Sequence, residues 1–252
     1  MNLPQLLQRA DIWRGGDAPA VAGVSSGFVA LDALLPGGGF PLGALTEILT
    51  PRVGVGELRL LLPTLARLAR ERWIAFVAPP YIPYAPALVR AGIDLSHVLV
   101  VHARERGDVL WSVEQALRAG TCGAVLAWPG AARTHGSKPE GRDTAFKWLR
   151  RLQLAAEAGN AMGLMFMSSR AVANVSPAAL RLAVEPQADG VAVRVLKRRG
   201  GWPAGPVHID WSALRQGRRI RREMVGDSYA VAMSRTSPTA ARDLHARSAH
   251  AQ

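Results

Sequence analysis

Apolar and polar positions along the chain follow two alternating periods, and the alternation predicts its secondary structure. Continuous apolar runs of strand length occur at residues 73–79, 123–128 and 163–169, and such runs favour strands covered on both faces of a parallel sheet. Segments with apolar residues at helical spacing lie between them, the longest at residues 58–72 and 143–160. Short links join the strands and helices. The pattern predicts a doubly wound α/β domain with a mostly parallel sheet and flanking helices.

Three segments of different character divide the chain. We expect an amphipathic helix and linker over residues 1–22, a core ending in a basic hairpin over 23–222, and a disordered tail over 223–252. The tail is rich in Ser, Ala, Arg and His and lacks periodicity. The N-terminal helix is too short to be stable alone, so it either caps its own domain or docks on a partner or a second copy.

The net charge and the cysteine content indicate which partners and which cellular compartment to expect. The net charge of +12 and the pI of about 11.3 favour a polyanionic partner such as nucleic acid, although a solvated basic surface would give the same balance. The one cysteine, Cys122, allows no intramolecular disulfide and fits a reducing compartment. The sequence shows neither a spanning apolar stretch nor a signal core. We therefore expect a cytoplasmic protein without a membrane partner.

Residues 25–49, SSGFVALDALLPGGGFPLGALTEIL, resemble the segment that leads into the ATP loop of the RecA recombinase core. That segment has a Ser-Gly turn, a Leu-Asp pair, a Gly-Gly turn and a strand carrying Glu-Ile, which match Ser26-Gly27, Leu31-Asp32, Gly38-Gly39 and Glu47-Ile48. The resemblance continues in the same order of blocks to about residue 200. It implies a RecA-like core.

The loop that follows departs from the nucleotide-binding pattern at its chemical positions. The pattern G-x-x-x-x-G-K-[ST] uses glycines to wrap phosphate, a lysine to neutralise charge and a hydroxyl to hold Mg²⁺. Aligned on Gly56, the first glycine becomes Pro51, the lysine becomes Glu57 and the hydroxyl residue becomes Leu58. Pro51 donates no N–H, Glu57 repels a triphosphate, and Leu58 cannot bind Mg²⁺.

Two other positions agree with a lost ATP site. RecA-like ATPases end a buried strand with an Asp that supports Mg²⁺, and Trp128 takes that position at the end of the strand expected over 123–128. Pro80 stands near the position of the acid that activates water. We expect no bound cofactor and no enzymatic activity. The alternative is that Gly54, Gly56 and the helix end bind a different anion.

Among RecA-like proteins without an ATP site, the chain resembles the ImuA family most. The similarity is carried by SSGFVALDALLPGGGFP, GVGELRLLLPTLA and FVAPPYIPYAPAL. It implies an accessory role in the SOS response, in damage-induced mutagenic translesion synthesis, with an ImuB-like polymerase subunit, RecA and single-stranded DNA as partners. SulA-like division inhibitors, which bind a tubulin-like division protein, are the alternative.

Basic residues are concentrated in loops that a RecA-like fold turns toward DNA, and in the C-terminal hairpin. Their density suits sequence-independent phosphate contact, although a solvated edge hairpin would look the same. Arg181, in the loop expected over 168–181, is a further candidate for this surface, and Trp202 or Trp211 either stacks on an unpaired base or packs in the core. The expected DNA-binding residues are Arg133, Lys138, Arg142, Arg170, Lys197, Arg198, Arg199, Arg218, Arg219, Arg221 and Arg222.

No catalytic set or metal site stands out in the sequence. No histidine pairs with another His or with Cys122 at ligand spacing. The serine pairs Ser25-Ser26 and Ser168-Ser169 lie outside a nucleophile-elbow motif. We interpret the first pair as a turn or helix cap and the second as a strand end.

Overall fold

The computed structural model describes residues 22–130 and 142–212. The helices are α1 Val29–Asp32, α2 Glu57–Leu68, α3 Ala85–Ala91, α4 Arg106–Arg118 and α5 Arg142–Gly159. The strands are β1 Gly23–Val24, β2 Phe40–Pro41, β3 Ala44–Thr50, β4 Trp73–Val77, β5 Val98–Val101, β6 Cys122–Ala127, β7 Met162–Ser168, β8 Leu180–Pro186, β9 Gly190–Arg198 and β10 Ala204–Asp210. Short 3-10 turns lie at Pro36–Gly38, Leu95–His97 and Ser169–Ala173.

Eight strands form one sheet in the order β10-β9-β8-β3-β7-β6-β4-β5. The six strands from β8 to β5 are parallel, and β9 pairs antiparallel with β8. Strand β3 lies between β7 and β8, so both of its edges are paired. The predicted large, mostly parallel sheet with helices is confirmed, and the three C-terminal strands extend one side of it.

Helices α4 and α5 cover one face of the sheet. Their core cluster joins sheet residues such as Ala75, Val77 and Val125 to Val113, Leu117, Trp148 and Leu152 of the helices. Ile74 and Phe76 alternate with Ala75 and Val77 along β4 and therefore point to the other face. Helix α2 contributes buried Leu60, Leu61 and Leu65 there. Cys122 is buried at the start of β6, and burial raises the pKa of its thiol.

The segment before β3 holds one short helical turn, α1. Its last residue, Asp32, accepts hydrogen bonds from the serine pair that precedes the turn. Ser25 Oγ donates to Asp32 Oδ2 at 2.6 Å, and the Ser26 amide donates to Asp32 Oδ1 at 2.7 Å. Ser26 Oγ accepts from the Phe28 amide at 3.1 Å. The serine pair is therefore the expected turn.

The chain divides into two units, residues 1–209 and 210–252, and only residues 210–212 of the second are described. The predicted N-terminal helix and the predicted disordered tail both lie outside the described residues. In the part of the chain that the structure describes, no helix is long and apolar enough to cross a membrane.

Candidate functional site

The loop between β3 and α2 lies at the carboxyl end of a central strand, where open parallel sheets place their ligands. Strand β3 ends at Thr50 and α2 begins at Glu57. Gly54 and Gly56 turn the chain with φ of +82° and +106°, values that side-chain-bearing residues rarely adopt. Gly56 is the N-cap residue of α2. The backbone can therefore make the sharp turn of a phosphate-binding loop.

The carboxylate of Glu57 fills the position where that loop would present its donors to phosphate. Its Oε1 accepts from the Gly54 amide at 2.8 Å, and the residue is only 4% exposed. Its Oε2 is also buried and has no hydrogen-bond partner among the described residues. The loop thus binds an anion that belongs to its own chain. A second anion at this position would be repelled at close range.

An aromatic stack stands beside the loop. Trp128, directly after β6, lies parallel to Phe166 of β7 with ring centroids 4.3 Å apart, and Phe76 of β4 stacks on its other side at 6.4 Å. The Trp128 amide donates to the Val77 carbonyl at 3.3 Å, which holds the end of β6 against β4. With both faces of its ring covered, Trp128 acts as a packing residue where an ATPase would place a carboxylate.

Two adjoining cavities surround this loop, with volumes of about 310 and 300 Å³. Val53, Glu57, Pro80 and Trp128 line both of them. The structure therefore brings together all six residues of the degenerate nucleotide loop: Pro51, Gly54, Gly56, Glu57, Leu58 and Trp128. The lining includes neither a lysine nor an aspartate, and Leu58 stands where a metal-binding hydroxyl would be. The lysine and the aspartate of an ATP site are therefore absent from this lining, and the cations on it are two arginines, Arg52 and Arg59.

Sequence reasoning missed the apolar rim of the second cavity. Tyr81, Ile82 and Tyr84 follow β4 and line this cavity, and they are 76%, 81% and 65% exposed. Three large apolar residues so exposed on neighbouring positions are unusual on a folded surface. The stretch PPYIPY offered a signal, because its three prolines prevent regular structure that would bury the residues between them.

Three of the expected DNA-binding residues are held by the protein itself. Lys197 Nζ donates to the Ser176 carbonyl at 2.6 Å, and Arg198 Nη1 donates to the Leu34 carbonyl at 2.7 Å. Arg199 forms an ion pair with Glu157 at 3.6 Å. Burial, with the Arg181 guanidinium nearby, lowers the pKa of Lys197. These contacts restrict the reach of all three side chains toward an external phosphate.

The other expected residues differ in what the structure shows of them. Arg170 is exposed in the 3-10 turn Ser169–Ala173, which follows Ser168, the last residue of β7 and thus the predicted strand end. Trp202 is 85% exposed, so it is not a core packing residue. The remaining residues lie outside the described residues or, for Arg142 at the start of α5, have side chains that are not described: Arg133, Lys138, Arg142, Arg218, Arg219, Arg221 and Arg222.

The expectation that Arg181 faces DNA is wrong. Arg181 lies in β8 and is buried, with its Nε bonded to Glu47 Oε2 at 2.6 Å. Its terminal nitrogens donate to the carbonyls of Ala171, Val172 and Asn174. The guanidinium therefore holds the segment after β7 against the sheet. Nothing in the local sequence indicates this, because its carboxylate partner is 134 residues away.

No metal centre is evident at this site. Within residues 22–130 and 142–212, no group of three or more His, Cys, Asp or Glu side chains is placed to hold a metal ion. Where histidines do meet acids they form pairs, as His208 does with Asp189 at 3.2 Å. Such pairs offer a metal too few ligands.

Comparison with known proteins relates the chain to RecA and SulA proteins. The family model described as "Cell division inhibitor SulA" matches residues 46–163. The chain is 32% identical over 144 residues to the protein RecA of Chlorobaculum parvum, which covers 56% of this chain and 41% of that protein. It is 33% identical over 110 residues to the cell division inhibitor SulA of Edwardsiella piscicida, covering 43% of this chain and 58% of that protein.

A second RecA, from Chlorobium chlorochromatii, is 30% identical over 137 residues and is covered over 38% of its length. The matched segments thus span between 38% and 58% of these relatives. The SulA model begins inside β3 and ends inside β7, so it includes the loop of Glu57, the rim and Trp128. The chain is related in sequence to the RecA and SulA proteins.

Proposed function

We propose that this protein is a non-catalytic, RecA-like accessory protein of damage-induced mutagenic translesion synthesis. In this role it connects an ImuB-like polymerase subunit, RecA and single-stranded DNA in the cytoplasm. The observation that carries the proposal is Glu57, whose carboxylate accepts from the Gly54 amide within the loop. A RecA-like core without a phosphate site can still bind partners through its surface, and an adaptor requires only such binding.

The absence of catalysis in this proposal rests on charge and ligands. An ATPase of this type needs a cation near the β- and γ-phosphates and oxygen ligands for Mg²⁺. Here the corresponding positions hold Glu57 and Trp128, which line both cavities, and Leu58, which lines one of them. A carboxylate within about 4 Å of a phosphate costs roughly 1 to 4 kcal/mol where a lysine would gain as much.

The proposed DNA contact draws support from the net charge of +12 and from Arg170, which is exposed. The basic residues outside the described part of the chain would supply the remaining phosphate contacts. Lys197, Arg198 and Arg199 contribute less than their sequence suggests, because each is bonded within the chain. Phosphate contacts alone predict binding that is independent of sequence and weakens steeply with salt.

A second function is favoured by a specific observation. The SulA family model matches residues 46–163, which include the strands β4 and β6 and the helices between them. A SulA-like division inhibitor would bind a tubulin-like division protein and would have no use for DNA. The two functions share the lost ATP site, so the loop cannot discriminate between them; the partner does.

The experiment is a pull-down of tagged protein from DNA-damaged cells, treated with nuclease and identified by mass spectrometry. The adaptor proposal expects a polymerase-like subunit and RecA to co-purify with the protein after nuclease treatment. Recovery of a tubulin-like division protein without either of them would contradict the adaptor proposal and establish the second. Binding of a labelled single strand at about 150 mM salt provides a parallel measure, since only the adaptor requires it.

A further inference from the structure

A patch of exposed apolar side chains adjoins the Glu57 cavity. The patch consists of Val53 from the loop and Tyr81, Ile82 and Tyr84 from the segment after β4, and all four line the cavity of about 300 Å³. Each is exposed by nearly half or more of its surface. We call it the rim patch. A cavity of this size lies at the small end of ligand sites, which suits one side chain with its neighbours on the rim.

The floor of the same cavity holds a carboxylate that the protein leaves half satisfied. Glu57 Oε2 is buried without a hydrogen-bond partner among the described residues, while Oε1 accepts from the Gly54 amide. A buried carboxylate oxygen without a donor costs free energy, and native structures rarely leave one unless something else supplies the donor. A ligand that brings an N–H group to Oε2 would remove that cost.

The chemistry of the cavity selects the kind of donor. A phosphate or carboxylate would be repelled by Glu57, and an uncharged apolar group would leave Oε2 unpaired. An ammonium is strongly hydrated and loses more on entering an apolar cavity than a guanidinium does. A guanidinium is planar, donates along its edge and stacks on tyrosine rings, which Tyr81 and Tyr84 provide at the rim.

Two arginines of the protein itself line these cavities, and neither changes the expectation that a guanidinium binds there. Arg52 is exposed on the loop and lines the first cavity, and Arg59 on the first turn of α2 lines the second and already interacts within the chain. Gly54 has no heavy atom within 4 Å of the position its Cβ would take, so a partner side chain can approach the loop above Glu57 there. Oε2 is itself buried, so binding requires the loop to move at this point.

We propose that the Glu57 cavity and the rim patch bind a segment of a partner protein that carries an arginine flanked by apolar residues. The guanidinium enters the cavity and donates to Glu57 Oε2, and the flanking apolar side chains lie on Tyr81, Ile82 and Tyr84. The position of the lost phosphate site thereby binds a cationic side chain of a peptide instead of an anion. This inference does not depend on which of the two proposed functions is right.

The test selects a displayed library of random linear peptides on the full chain. We expect enriched peptides to share an arginine with apolar neighbours, and the enriched peptide to bind at least tenfold more weakly to Glu57→Gln and to the double variant Tyr81→Ser, Ile82→Ser. The matched control is Glu185→Gln, an exposed glutamate in β8, which should bind as the parent does. Circular dichroism of each variant checks that the fold is retained. The rim variant keeps the test valid if Glu57→Gln fails to fold, since Tyr81 and Ile82 are exposed.

Three results would overturn the proposal. One is enrichment of peptides without arginine, or of acidic peptides. Another is equal affinity of the selected peptide for the parent and Glu57→Gln. The third concerns the occupant and uses a synthetic peptide of residues 1–21, which contains Arg9 and Arg14. If this peptide displaces the labelled selected peptide at a lower concentration than the unlabelled selected peptide does, the site belongs to the chain's own N-terminal segment or to that of a second copy.

Discussion

Two buried glutamates stand ten positions apart on either side of the end of β3, and they are used in opposite ways. Glu47 is 2% exposed and both of its oxygens are bonded, one to Ser176 Oγ and the other to Arg181 Nε, each at 2.6 Å. Glu57 is 4% exposed and has one oxygen bonded, to a backbone amide, and one without a partner. The two residues are buried to nearly the same extent, but only Glu47 has a hydrogen-bond partner for each of its carboxylate oxygens.

The difference separates a structural site from a binding site in the same fold. The Glu47 network joins β3, β8 and the segment after β7, and every charge within it is compensated. The Glu57 loop is held by a single neutral donor and faces two cavities. A group that is fully paired contributes to stability, whereas a group left half paired keeps its capacity for a ligand.

The largest loss of unfolding free energy is expected on substitution of Glu47. Glu47→Ala leaves the Arg181 guanidinium buried beside no anion, and breaking such a pair costs about 3–5 kcal/mol of unfolding free energy. Urea unfolding followed by circular dichroism measures the loss, with the exposed Glu185→Ala as the control. A loss below about 1 kcal/mol would show that the two glutamates do not differ in the way described.

The next effect is at the aromatic stack beside Glu57. Trp128→Ala removes a buried ring that is packed on both faces, and we expect a loss of about 3 kcal/mol. Trp202→Ala is the matched control: this ring is 85% exposed, so the change should stay within about 0.5 kcal/mol. Similar losses for the two variants would contradict the packing role of Trp128.

Lys197 lies near Glu47 and Arg181, and its lowered pKa should make the unfolding free energy depend on pH. Burial lowers its pKa in the folded state, so between that pKa and the unfolded value near 10.5 the unfolded chain binds more protons. Stability from this residue therefore rises with pH across that window and is lower below it. Parent and Lys197→Met are compared by urea unfolding at about pH 7 and pH 10, and the parent should gain relative to the variant. A constant difference between them would mean that Lys197 titrates normally.

The smallest effect is expected at Glu57. Glu57→Gln keeps an acceptor for the Gly54 amide and removes a charge whose second oxygen has no hydrogen-bond partner among the described residues. The unfolding free energy should change by less than about 1 kcal/mol, in either direction. Thermal and urea unfolding both measure it. A loss approaching that of Glu47→Ala would show that Glu57 is as fully compensated as Glu47.

Local sequence patterns predicted the order of strands and helices well, because buried strands and amphipathic helices leave periodic apolar signals. The resemblance to the RecA core also implied that Pro51, Glu57, Leu58 and Trp128 would lie close together, and all four line the two adjoining cavities. The fate of the basic residues was not predictable in the same way. Arg181 and Lys197 face partners fixed by strand pairing between β8, β9 and β3, which no spacing along the chain displays.

The aromatic stack shows a similar limit. A tryptophan after a buried strand predicted the loss of an acid, but not that Phe76 and Phe166 would cover both of its faces. Those three residues come from β4, the end of β6 and β7, and they meet because these strands are neighbours in the order of the sheet. Likewise, the hydrogen bonds from Ser25 and Ser26 to Asp32 join positions six and seven residues apart, and no pattern in the sequence indicated them.

The central claim is that the loop between β3 and α2 has exchanged phosphate for its own carboxylate. The most direct measurement is titration of the protein with Mg²⁺ and ATP by isothermal calorimetry. We predict no binding, with a Kd weaker than about 1 mM, for the parent and for Glu57→Gln, whose loop still lacks a lysine and a hydroxyl. A micromolar Kd for the parent, abolished by substitution at Gly56 or Trp128, would contradict the claim and return the protein to the nucleotide-binding RecA-like proteins.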